Sequence, residues 1–396
     1  LFIIIWFYLI FFFFLLYSLN LFTIYLGFEL LSLSFYILIA SRIKSLLSIE
    51  SSIKYLILSV FSSSLFLLGI SLFYFIFGTI DLHLIYYLSF YLKYNFEYLF
   101  FYCGVCLLFL GLIFKLGIAP FHTWVPDVYE STNLIFVVFI GFLPKLIYLT
   151  VLWKLFFFCN ILNFYNITYL FVFFGVLSLF IGTIGALNQY KLRRFLAYSS
   201  ITHMSFLLFS MLSLSLNSLI SLSFFYLLNY IIISLIIFSI INIIFNKEIT
   251  LIYNLKFNVL NKNMRLLLIF WIFSFFSLGG IPPFSGFFIK YLVLKNLLFN
   301  NYYFLSFFIL LFSSISIYYY LRFIISSFFL PTINVKKNTK NIWYFINFNN
   351  DSFLYFFCYL NYINFFMLFF YQDILFFLEN YTFFFFENSI KIFYSL

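Results

Sequence analysis

Apolar residues fill this chain in long runs, separated by short polar connections. A bilayer's hydrocarbon core is crossed by about 20 apolar residues in a helix, so each run reads as a membrane span. The predicted spans are Leu1–Leu19, Leu21–Ser41, Ile53–Phe77, Glu97–Ser131, Leu134–Phe157, Tyr165–Leu187, Phe195–Ser215, Asn217–Phe245, Arg265–Leu298, Tyr302–Leu330 and Ser352–Leu378. A polar-aromatic loop is expected after the third span, and longer polar loops before the ninth and after the tenth. The Phe-rich tail Tyr381–Leu396 is expected at the membrane interface.

Glu97–Ser131 and Arg265–Leu298 are too long for one straight crossing, because a helix rises 1.5 Å per residue against a core of about 30 Å. Each carries a breaker near its middle: Gly117-Ile118-Ala119-Pro120-Phe121 in one, Gly280-Ile281-Pro282-Pro283-Phe284 in the other. Proline removes an amide donor and clashes with the preceding turn. Carbonyls freed inside a bilayer need protein or water, so a broken helix normally lines a polar cavity. Matching breaks in the two halves suggest an internal repeat with a path at the midplane. Coincidence in a low-complexity apolar chain is the competing explanation.

Composition supports the membrane reading. Of 396 residues, 66% are hydrophobic and 8% charged, and the mean hydropathy is +1.14. A soluble domain needs about 25% charged residues, and disorder needs low hydrophobicity. The net charge of +10 is spread through short connections, a sign of membrane orientation rather than of nucleic-acid binding. Connections after even-numbered spans carry Arg42, Lys44, Lys191, Arg193, Arg194, Lys247 and most of the other loop cations; the opposite side carries Lys93, Lys154, Lys295 and Lys391. The N-terminus is therefore expected on the inner side and the C-terminus on the other. No cleavable leader is expected, because the first apolar run lacks a basic lead and a small-residue cleavage site. The crowding of Phe, Ile, Leu, Tyr, Asn and Lys, all encodable by A and T alone, points to an AT-rich genome such as an organelle's.

The four cysteines are Cys103, Cys106, Cys159 and Cys358. Cys103 and Cys106 are spaced as a CxxC, but inside an apolar helix with no second pair; they read as packing, not zinc. No glycine-rich nucleotide loop follows a strand. No cysteine set fits an iron–sulfur centre. No redox centre, cofactor or metal is expected in this chain.

Four ionisable residues fall where charge is costly. Glu29 lies mid-way in the second span, Lys115 just before the first break, Lys145 inside the fifth span after Pro144, and Lys290 just after the second break. Such a residue at a helix centre costs about 2.5–3.5 kcal/mol on insertion scales. They are tolerable if they face one another or water. Desolvation favours the neutral amine and a nearby carboxylate restores the charged one, so a series of such groups can relay protons. Lys54 and Lys154, near span ends, are expected to snorkel to the headgroups. His203 shares its helix with Ser199, Ser200 and Thr202, and reads equally as a core histidine or a relay imidazole. His122 is expected to cap a vestibule or bond a carbonyl. His83 is placed in a loop with no role.

The blocks Phe114-Lys115-Leu116-Gly117-Ile118-Ala119-Pro120-Phe121-His122-Thr123-Trp124-Val125-Pro126-Asp127, Leu196-Ala197-Tyr198-Ser199-Ser200-Ile201-Thr202-His203-Met204 and Ser277-Leu278-Gly279-Gly280-Ile281-Pro282-Pro283-Phe284-Ser285-Gly286-Phe287, through Lys290, carry a resemblance. Leu187-Asn188-Gln189, Leu192-Arg193-Arg194 and Gly27-Phe28-Glu29 extend it. The chain resembles the chain-2 family of mitochondrial NADH:ubiquinone oxidoreductase, antiporter-like subunits of the membrane arm of respiratory complex I. The tail beyond Leu330 takes no part in the resemblance.

The resemblance implies an all-α polytopic membrane protein of about eleven helices, with two inverted five-helix repeats and two broken helices. The repeats would be residues 1–157 and 158–330, followed by a polar loop, a last span and a tail over 331–396. It implies that Glu29 and Lys115 form the acid–lysine pair of a first half-channel. Lys145 would link onward, His203 would lie on the polar axis, and Lys290 would serve the outward half-channel. NADH, FMN, iron–sulfur clusters and ubiquinone would belong to other subunits. Partners would be other membrane-arm subunits and lipids, in the mitochondrial inner membrane, with the N-terminus in the matrix. Counting back from Glu29, three N-terminal helices of bacterial relatives are not expected in this chain. Two further readings are a subunit of an Mrp-type cation/proton antiporter and a non-pumping spacer of the membrane arm. Retained buried charge speaks against a spacer.

Overall fold

A computed structural model describes residues 2–41, 45–91, 95–158, 165–212, 216–244 and 262–329, with residues 359, 371–376 and 378. Among them the protein is helical, with one isolated antiparallel bridge between Asn20 and Asp81. The helices are α1 Phe2–Tyr17, α2 Leu21–Ala40, α3 Leu46–Phe77, α4 Leu82–Ser89, α5 Asn95–Leu116, α6 Trp124–Ser131, α7 Leu134–Gly141, α8 Leu143–Phe158, α9 Tyr165–Leu187, α10 Leu192–Ser210, α11 Leu216–Ile244, α12 Lys262–Gly279, α13 Ser285–Phe299 and α14 Tyr303–Phe329.

Seven stretches among the described residues are long and apolar enough to cross a membrane. The gap from the larger expected number has physical causes. α1 is short, with 16 residues. α10 carries Arg193, Arg194 and a row of hydroxyls, which lower its hydropathy. α12 and α13 are the halves of one broken element. The expected last span, Ser352–Leu378, and the tail lie outside the described residues apart from those named above. So do Cys159, Cys358 and the loop cations Arg42, Lys44, Lys93, Lys247 and Lys391.

Three local differences from the sequence reading stand out. α3 starts at Leu46, ahead of Ile53, because Ser48, Ser51 and Ser52 return their hydroxyls to carbonyls one turn back and stay helical. The stretch after α3 is not simply a loop: it folds into α4, which buries Leu82, His83 and Ile85. His83 packs edge-on against Phe158, with centroids 4.6 Å apart. The fifth element is interrupted at Phe142, so α7 and α8 are separate helices with Pro144 in the first turn of α8.

Both predicted breaks close with the same backbone pattern. After α5, Gly117 N–H donates to Phe114 O and Ile118 N–H to Ile113 O; after α12, Gly280 N–H donates to Ser277 O and Ile281 N–H to Phe276 O. These are Schellman closures, which place the glycine in the left-handed region. Gly117 has φ +72° and Gly280 φ +82°. The Gly-Ile pair thus has a stereochemical reason: glycine turns the chain and the following residue's amide caps the helix.

By contacts the chain divides into two compact units. The first comprises Leu1–Gly185 and Leu196–Leu227. It is built on the α3–α5 pair, where small residues let backbones approach: a Cβ on Gly111 would meet Ser62 O at 3.1 Å, and one on Gly69 would meet Gly104 O at 3.0 Å. Close packing through small residues is what holds helices together where lipid removes the hydrophobic drive. The second unit comprises Ala186–Phe195 and Leu228–Leu396. Its core includes Trp271, Phe275, Tyr320 and Phe323.

Candidate functional site

In the first unit, α2 begins at Asn20, whose side chain accepts from the Phe22 amide. Two turns on, α2 presents Phe28 and Glu29. Phe28 is buried and Glu29 half-buried. The Glu29 carboxylate has Tyr25 as its side-chain neighbour, and its charge reaches both Tyr55 and Lys115. Glu29 and Lys115 are within electrostatic reach of each other but not in ion-pair contact.

Lys115 stands in the last turn of α5, at the carbonyl end that favours a cation. It is buried, and among the described residues its ammonium has no hydrogen-bond acceptor. Its Nζ lies 5.9 Å from the centroid of the Phe28 ring. Lys145 is buried in the first turn of α8, immediately after the interruption, with Nζ 5.7 Å from the Phe142 ring. In the second unit, Lys290 on α13 is buried and donates to Gly279 O at 2.7 Å. Each of these three lysines therefore sits beside a helix interruption.

His203 is buried on α10, and its Nδ1 lies 2.7 Å from the Tyr226 hydroxyl on α11. The other polar groups of that helix are already committed. Ser199, Ser200, Thr202 and Ser205 each donate to a carbonyl three residues back. Tyr226 was invisible in the sequence as a partner, because one tyrosine among 34 carries no signal.

Lys154 corrects the snorkelling expectation. It is buried and donates to Leu15 O at 3.1 Å, Leu16 O at 2.6 Å and Ser18 O at 2.7 Å. It caps the carbonyl end of α1, so a charge near a span end points inward when a neighbouring helix stops beside it. Lys54 is also held: it pairs with Glu50 at 2.7 Å and with Asp127 of α6 at 3.0 Å. His122 is half-buried, with Nδ1 3.2 Å from Pro120 O. Cys103 and Cys106 are free thiols on α5, and Cys103 is exposed.

Among the described residues, apolar helices long enough to cross a membrane, with buried cations at helix interruptions, define a polytopic membrane protein of the antiporter-like kind. The chain belongs to the membrane family described as NADH:quinone oxidoreductase/Mrp antiporter, whose profile matches residues 18–316. Among its relatives is NADH-quinone oxidoreductase subunit N of Pelagibacter ubique, 31% identical over 82% of this chain and 68% of that protein. Another is subunit N of Flavobacterium psychrophilum, 32% identical over 78% of this chain and 67% of that protein. The chain spans about two thirds of the length of these relatives. A chain of respiratory complex I from Thermus thermophilus matches with TM-score 0.68 and 25% identity, over 83% of this chain and 70% of that one. A chain of the Mrp complex from Dietzia shares the fold, with TM-score 0.67 and 20% identity over 79% of this chain and 57% of that one.

Proposed function

We propose that this chain is a proton-translocating membrane-arm subunit of a respiratory NADH:quinone oxidoreductase. Protons pass through Glu29, Lys115, Lys145, His203 and Lys290, while NADH oxidation, flavin, iron–sulfur and quinone chemistry occur on other subunits. The observation that carries this reading is the placement of three buried lysines at helix interruptions. Each ammonium or amine there can exchange a proton with water drawn to the freed backbone groups. Glu29, which reaches Lys115 through its field and not through contact, can bias that exchange when its own charge changes.

The subunit N relatives favour this assignment over an Mrp-type cation/proton antiporter, which shares the family and the fold. The Schellman closures at both breaks support two inverted five-helix repeats, residues 1–157 and 158–330. The loop cations support an N-terminus on the inner side, and the AT-rich composition supports the mitochondrial inner membrane. The test is Lys115→Met in the assembled complex in sealed vesicles, a change close in volume that removes the titrating group. NADH-driven proton uptake is expected to fall with assembly retained. Unchanged proton uptake removes Lys115 from the path and overturns the reading.

A further inference from the structure

Beside the Lys115 ammonium stands an aromatic ring. Phe28 lies 5.9 Å from the Lys115 ammonium on one side. On other sides it packs edge-on against Phe66 and Tyr148, at centroid distances of 5.4 and 5.5 Å. A phenyl ring has no exchangeable proton and no lone pair to accept one. A proton leaving Lys115 therefore has no carrier in this ring and needs another group beside it.

Two phenols offer such a group. Tyr148 lies three residues past Lys145 on α8, which puts both side chains on one side of the helix, a turn apart. Tyr55, on α3, packs edge-on against Phe35 and Trp124, and lies within electrostatic reach of both Glu29 and Tyr148. Both tyrosines are 2% exposed. Among the described residues neither hydroxyl has a hydrogen-bond partner. An ordered water is the usual partner of such a hydroxyl in a polar site. A chain indifferent to those hydroxyls would lose nothing by carrying phenylalanine, its most abundant aromatic.

We propose that Tyr148 and Tyr55 are the hydroxyl stations that carry protons past Phe28, from Glu29 and Lys115 to Lys145. The inference rests on the proton-relay reading above. In the step, a water takes a proton from the Lys115 ammonium, leaving the neutral amine, as it gives one of its own to the Tyr148 oxygen. That oxygen releases its own proton, through water, to the neutral Lys145 amine. Each O–H bond that forms is matched by one that breaks, the N–H bond lost at Lys115 is matched by one gained at Lys145, and the phenol is restored by rotation. No oxidant or reductant is needed.

The experiment compares Tyr148→Phe, Tyr55→Phe, their double variant, Tyr148→His and Lys115→Met in the assembled complex in sealed vesicles, with NADH-driven proton uptake as the readout. The expected result is a loss in Tyr148→Phe comparable to that in Lys115→Met, with recovery in Tyr148→His, whose imidazole relays protons where a merely space-filling side chain would not. If Lys115→Met loses proton uptake while both Tyr→Phe variants and the double variant match wild type, the inference is overturned and the lysine relay stands. If Lys115→Met itself matches wild type, the relay reading fails and takes this inference with it. Should Tyr148→Phe fail to assemble, a high-resolution map of the unaltered complex decides: ordered water on the Tyr148 hydroxyl supports the inference, and dry apolar contact there overturns it.

Discussion

The ammonium of Lys290, on α13, donates a 2.7 Å hydrogen bond to the carbonyl of Gly279, the last residue of α12. The lysine thus bridges the interruption between the two half-helices, and the glycine after that carbonyl makes room for it. A Cβ on Gly280 would meet Lys290 Cδ at 2.8 Å and its Cε and Nζ at 3.3 Å. Gly280→Ala is expected to displace the lysine head from Gly279 O. It also adds about 1–2 kcal/mol of left-handed backbone strain. Gly279→Ala is the control, because its nearest contact would be an ordinary 3.7 Å. NADH-driven proton uptake should fall in the first variant and hold in the second; equal activity in the two would detach Gly280 from the lysine's placement.

Lys154→Met should weaken the protein without touching the proposed relay. The change strips a charged donor from three carbonyls at the end of α1. Hydrogen bonds to charged groups contribute about 1.5–3 kcal/mol each, so a loss of about 3 kcal/mol or more is expected. Thermal unfolding of the purified complex, with the abundance of assembled subunit on native gels, measures it. An unchanged melting temperature would mean that water replaces the ammonium without cost.

Tyr226→Phe removes the partner of His203 Nδ1 and leaves the ring's volume in place. The expected stability cost is about 0.5–1.5 kcal/mol. The larger effect is on function, because the hydroxyl orients the imidazole and selects its tautomer. The check is the pH profile of proton uptake in vesicles, which should shift in the variant; a superimposable profile would leave His203 as a core histidine.

Burial of His83 on α4 pushes its imidazole below the ordinary range, with the Asp81 charge opposing. A folded-state value below the unfolded one means that the unfolded segment binds more protons as pH falls. Stability of α4 is therefore full above the unfolded value of about 6.5 and declines below it. Hydrogen exchange over residues 82–89, corrected for intrinsic rates, should show less protection at pH 5 than at pH 7.5. His83→Phe should flatten that difference.

The amino-acid sequence by itself determined most of the long apolar helices and the two G-I-x-P-F breaks. Both depend on local causes: a long apolar run must hydrogen-bond its own backbone in lipid, and Gly117 and Gly280 sit where a side chain strains the chain. Glu29, Lys115, Lys145 and Lys290 stood out for the same reason, since a charge in an apolar run is conspicuous wherever it points. What a charge points at was decided by the tertiary structure. Lys154 turned inward because α1 ends beside α8, a meeting of residues far apart in the chain. The pairing of His203 with Tyr226 and the contacts of Phe28 with Lys115 and Tyr148 are likewise set by packing between helices. In so aromatic a chain any phenol or ring looks like its neighbours until the fold assigns its contacts.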